Sequence, residues 1–72
     1  MIKIKDIYRA VIGILELKDG FVSHELRKAV NDFIFEEINK ILKEPWEVDD
    51  YIPETIGFKI TYLCIKNFIK EI

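Results

Sequence analysis

Glu54-Thr55-Ile56-Gly57-Phe58-Lys59-Ile60-Thr61-Tyr62-Leu63-Cys64-Ile65 decides the fold, because it carries two periodicities at once. Ile56, Phe58, Ile60, Tyr62 and Cys64 alternate as in a strand. Phe58, Tyr62, Ile65, Ile69 and Ile72 recur as on a helix. Read as one helix, residues 56–65 would be apolar nearly all round, which suits a small domain poorly. The economical reading is a strand at 56–61, a Thr61 cap and a helix at 62–72 with Ile65, Phe68, Ile69 and Ile72 as its stripe. The strand would pair with residues 46–52 in a small β-hairpin. One continuous helix is the alternative, and it implies an all-α three-helix bundle.

Upstream, the pattern is plainer. Ile4, Ile7, Tyr8, Val11, Ile14 and Leu15 recur at spacings of three and four, with Lys5, Asp6, Arg9 and Glu16 opposite, which predicts a helix over 5–18. Asp19-Gly20 ends it, Gly20 suiting the left-handed cap position. Phe21-Val22 is a short extended link, and Ser23 is placed as an N-cap with Glu25 favoured by the helix dipole. The stripe Leu26, Val30, Phe33/Ile34, Ile38 and Ile41/Leu42 follows. It fits one helix over 24–44, or two pieces, 24–30 and 33–44, with Asp32 capping the second. Pro45 marks the end in both cases.

Seventy-two residues, half of them hydrophobic and fourteen of them isoleucine, predict a single domain over 1–72 with a packed core. The one cysteine, Cys64, cannot form an internal disulfide, and no leader-like or membrane-spanning run is present, so a cytoplasmic location is expected. The net charge of −2 is unevenly spread. Residues 44–54 hold Glu44, Glu47, Asp49, Asp50 and Glu54 and no basic side chain. The other residues carry eleven basic and eight acidic groups, so an acidic arm sits on a mildly basic body.

The order of elements resembles winged helix–turn–helix domains. Ile14-Leu15-Glu16-Leu17-Lys18-Asp19-Gly20, then Phe21-Val22, then Ser23-His24-Glu25-Leu26-Arg27-Lys28-Ala29-Val30 is similar to that superfamily's first two helices and the brief strand between them. Phe58-Lys59-Ile60-Thr61 followed by Ile65-Lys66-Asn67-Phe68-Ile69-Lys70-Glu71-Ile72 is similar to its last wing strand and C-terminal helix. These stretches cover a little under half of the chain. The resemblance implies a mostly α, winged-helix-like compact domain with a small β-hairpin. It also implies a possible DNA-binding regulator, for which Arg9, Arg27, Lys28, Lys40 and Lys43 would be the contact residues. The recognition-helix position, however, presents Asp32, Phe35, Glu36 and Glu37 before any lysine, and the wing would be the acidic arm. Phosphate contacts need Lys or Arg, so DNA binding is disfavoured.

Chemistry-bearing motifs are incomplete. His24-Glu25 begins like H-E-x-x-H, but Lys28 stands where the second histidine belongs. Ser23 and His24 are neighbours that point apart on a helix, so Ser23 reads as a cap rather than a nucleophile. Cys64 sits in an apolar run and reads as a buried, inert thiol. Glu47, Asp49, Asp50 and Glu54 lack the central glycine and spacing of a calcium loop. No catalytic residue, metal or cofactor is therefore expected, and the chain is expected to work by binding. Phe35 lies off the apolar stripe and either marks a partner surface or widens the core. Trp46 and Tyr51 flank the acids, and Trp46 either closes the core or joins an interface. The leading expectation is a protein–protein interaction or assembly module, its partner a protein or a second copy, bound through Phe35, Trp46, Glu47, Asp49, Asp50 and Tyr51.

Overall fold

Two short strands hold the starts of two helices together. β1 (Ile2–Lys3) and β2 (Tyr51–Ile52) pair antiparallel, with Ile2 opposite Ile52 and Lys3 opposite Tyr51. β1 runs straight into α1 (Ile4–Asp19), and β2 leads through Pro53 into α3 (Glu54–Cys64). α2 (His24–Leu42) joins α1 to the arm, and a π-helical turn, Ile65–Ile69, extends α3. The computed structural model describes residues 1–69. The architecture is mostly α with one small antiparallel strand pair, as the sequence predicts, and it is compatible with a winged-helix-like arrangement.

Local signals account for the helix ends. Gly20 takes φ 83° and its N–H donates to the Glu16 carbonyl, so the left-handed cap is used. Ser23 Oγ accepts from Leu26 N–H at 3.1 Å, opening α2. α2 is one helix, not two. Asp32 forms an exposed pair with Lys28 one turn earlier instead of turning back to cap a second piece. It stops at Leu42, with Lys43 in the left-handed region at φ 55° two residues ahead of Pro45.

The strand expected at 56–61 is helical, and Thr61 is no cap. Its hydroxyl donates to the Gly57 carbonyl within α3 at 2.8 Å. The helix expected at 62–72 starts at Glu54 instead, and residues 70–72 lie outside the described residues. The reason is geometric. Ile56, Ile60 and Cys64 are two-residue alternates and also four apart, so the same side chains serve either period. In the fold Ile60 and Cys64 are buried with Gly57, while Phe58 and Tyr62 face outward. The antiparallel partner of the arm is therefore β1, which leaves 56–61 free to be helix.

Ile4, Ile7, Val11, Ile12 and Leu15 of α1 meet Val30, Ile34 and Ile38 of α2 and Ile60 and Cys64 of α3 in one core. α3 lies against α1 at its start, where Gly57 touches Ile2 and Ile7, and reaches α2 at its end. There Phe68 meets Phe33 edge-on, with ring centroids 5.4 Å apart. Ile14, expected in the core, is 37% exposed, and Ile12 is buried instead. Among the described residues no helix is long and apolar enough to cross a membrane.

Candidate functional site

The acidic arm is tied to the start of α1. The Ile4 N–H donates to the Asp50 carbonyl at 3.0 Å and the Lys5 N–H to the Val48 carbonyl at 2.9 Å. These amides belong to the first turn of α1 and have no acceptor within their own helix, so the arm caps α1 with backbone. Lys5 Nζ lies 2.8 Å from the Asp49 carboxylate and holds its pKa below the ordinary value, by hydrogen bond first and then by charge. Asp50 closes the turn, its carboxylate accepting from Glu47 N–H at 2.8 Å while its own N–H donates to the Glu47 carbonyl at 2.9 Å. Lys3 Nζ sits 5.4 Å from the centroid of the Tyr51 ring.

Of the expected partner-binding residues, Glu47, Asp49 and Tyr51 are exposed and Asp50 is half-buried. Phe35 and Trp46 are half-buried against the core, so Phe35 widens the core stripe on the Asn31 side of α2. Trp46 Nε1 is buried and finds no acceptor among the described residues. The arm therefore has a structural task that charge counting alone does not suggest. Asp50→Ala is expected to cost about 1 kcal/mol, because the turn loses the hydrogen bond that closes it. Glu44→Ala, at an exposed position, should stay within about 0.5 kcal/mol. Urea denaturation of the two variants decides it; equal effects would mean that the turn contributes nothing to the cap.

Four of the five basic residues expected on DNA, Arg9, Arg27, Lys28 and Lys40, pair with carboxylates of the chain. Arg27 Nη2 is 2.9 Å from Glu16, and its Nε donates to the Val22 carbonyl at 3.2 Å. Tyr8 first, and then Glu16, holds the guanidinium pKa above its ordinary value. Lys28 pairs with Asp32 at 2.7 Å, Lys40 with Glu37 at 3.0 Å and Arg9 with Asp6 at 3.9 Å. Lys43 forms the left-handed end of α2. Lys28 and Lys40 stand twelve residues apart, about 18 Å along the helix. What the fold does assemble is an open groove of ≈ 280 Å³ between α1 and α2, lined by Tyr8, His24, Arg27, Lys28 and Asn31. Among the described residues no three His, Cys, Asp or Glu side chains come together as a metal site requires.

A second surface escaped the sequence reading. Leu17 is 90% exposed on α1, and Phe58 and Tyr62 are 65% and 59% exposed on α3. Ala10, Ile14 and Leu17 follow Ile7 at three, seven and ten residues and so lie on the edge of α1 beside α3, away from Tyr8, Ile12 and Glu16. Both helices start at the strand pair and wind right-handed, which turns Phe58 and Tyr62 to the same side of the α1–α3 seam. The available signal was Leu17, an apolar residue off the Ile4-Ile7-Val11-Leu15 stripe.

Compared with protein-family models, with curated proteins and with solved structures, the chain matches none. The functional reading therefore rests on the geometry alone.

Proposed function

We propose that this chain is a small non-enzymatic binding module, winged-helix-like in arrangement, that acts through protein–protein contact in the cytoplasm. The observation that carries the reading is the outward apolar face of Leu17, Phe58 and Tyr62. Single exposed apolar side chains are ordinary, whereas several exposed on two neighbouring helices, two of them aromatic, have the composition of an interface centre. The acidic arm is the weaker candidate, since its backbone and two of its carboxylates already serve α1 and its own turn. The free thiol of Cys64 suits a reducing compartment. The test is capture from a lysate of the source cells with the immobilised chain. Leu17→Glu/Phe58→Glu should lose partners that Glu47→Lys keeps. Equal capture by the two variants and the unaltered chain would remove the apolar face from the function.

A DNA-binding regulator is the second reading, favoured only by the groove that gathers His24, Arg27 and Lys28. Own-chain carboxylates hold both Arg27 and Lys28, so binding duplex would first break these pairs. Anisotropy titration of labelled duplex at physiological salt is expected to show no sub-micromolar binding. Tight binding with a steep negative salt slope would reverse the order of the two readings, because the slope counts phosphate contacts.

A further inference from the structure

Gly13 has no packing role among the described residues. It lies inside α1, where glycine is a poorer helix former than alanine. A methyl group built on it meets no atom within 4 Å among the described residues, so no described neighbour requires the absence of a side chain there. The residues around it form a seam: Ala10, Gly13, Ile14 and Leu17 recur at three, four and seven residues, the spacing of a helix face that meets another helix. This seam is the α1 part of the outward apolar face, where Leu17 is almost fully exposed and Ile14 partly so.

The seam fits itself. Set two copies of α1 antiparallel about a two-fold axis between Gly13 and Ile14. Ala10 then faces Leu17 of the other copy, and Gly13 faces Ile14. Small meets large at each of the four positions, which is what close packing of two helices needs. An isologous contact of this kind is the commonest way for a small protein to pair. Area agrees as well. Ile14, Leu17, Phe58 and Tyr62 present on the order of 500 Å² of apolar surface, at the upper end for a monomer. That is about a tenth of the 4744 Å² surface of the chain and more than half of the roughly 800 Å² per partner of a standard interface.

We infer that this face binds a second copy of the chain, with two α1 helices crossing antiparallel at Gly13 and the Phe58–Tyr62 face of each α3 at the margins. The inference rests on the proposed protein-contact function and names its partner. Gly13→Ala separates the roles of the position. It should raise the thermal stability of the monomer, since the site is open and alanine favours helix, yet weaken pairing at least tenfold by holding the helices apart. Leu17→Glu, at a position 90% exposed, should leave the fold intact and abolish pairing.

The experiment is sedimentation equilibrium of the purified chain from about 10 to about 200 μM, a range suited to a micromolar contact. Expected is a mass rising from 8.6 kDa toward twice that value, with Leu17→Glu monomeric throughout and Gly13→Ala shifted to higher concentration. A chain that stays monomeric over the whole range overturns the inference, as does pairing that neither substitution affects. Loss of lysate capture on Leu17→Glu/Phe58→Glu by a purely monomeric chain would keep the binding-module reading and assign the face to a different protein.

Discussion

Gly57→Ala should destabilise the fold by about 1–2 kcal/mol, and the same change on an Ile2→Ala background should instead stabilise it by about 0.5–1 kcal/mol. A Cβ at position 57 would lie 2.6 Å from Ile2 Cγ2, with Ile2 Cδ1 and Ile7 Cδ1 at 3.8 Å. The close atom is not the loose end of a long side chain. It is a branch methyl on Cβ, fixed by the stiff χ1 of isoleucine, and Ile2 itself is held by its pairing with Ile52. One of the two elements must move, and β1 is what joins α1 to the arm. Removing Cγ2 leaves only an ordinary contact with Ile7, so the higher helix propensity of alanine should then be felt. Urea denaturation of the four proteins gives the coupling, expected at about 2 kcal/mol. If Gly57→Ala stabilises both backgrounds alike, β1 is not seated against α3 and the strand pair does not organise this end of the molecule.

The same glycine shows what could and could not be read from the chain. The ends of α1 and the start of α2 were legible because Gly20 and Ser23 act within one turn of themselves, through a backbone angle and a hydroxyl. The third segment misled because its buried residues satisfy two periods, while Phe58 and Tyr62, which separate them, lie outside the core. Better signals were present. Pro53-Glu54 is a helix start, and a glycine between Ile56 and Phe58 marks a close approach of backbone. The role of the arm was not legible at all. Its contact with α1 runs through the carbonyls of Val48 and Asp50, which any residue could supply, across more than forty residues of chain. Composition showed the five carboxylates but not that Lys5 and the Glu47 amide take two of them. Leu17 and Gly13 were readable as residues out of place on α1, and their meaning comes only once the position of α3 leaves that edge bare.

Stability should fall steeply as pH rises above about 9, at a rate approaching 1.4 kcal/mol per pH unit attributable to one thiol. Cys64 is fully buried, and burial first, then the nearby charge of Glu37, pushes its pKa up to about 12. In the unfolded chain the thiol titrates at its ordinary value, about 8.5. Below that value both states keep the proton, and the group contributes no pH dependence. Above it the unfolded chain releases its proton while the native state holds it. The native state then binds more protons, so raising the pH favours unfolding until the native thiol itself ionises. Over the whole window the loss is on the order of 5 kcal/mol, about half of it by pH 10.5, a large part of what a chain this small has to lose. Cys64→Ala removes the titration. It should begin about 1–2 kcal/mol less stable through the lost packing, and then lose less with pH, so that the two curves converge and cross. Every other ionisable group is common to both proteins, so the difference isolates the thiol. Urea midpoints from about pH 8 to about pH 10.5 supply the measurement. Parallel curves would mean that Cys64 ionises in the folded protein as readily as in the unfolded one, and that its side of α3 opens to water.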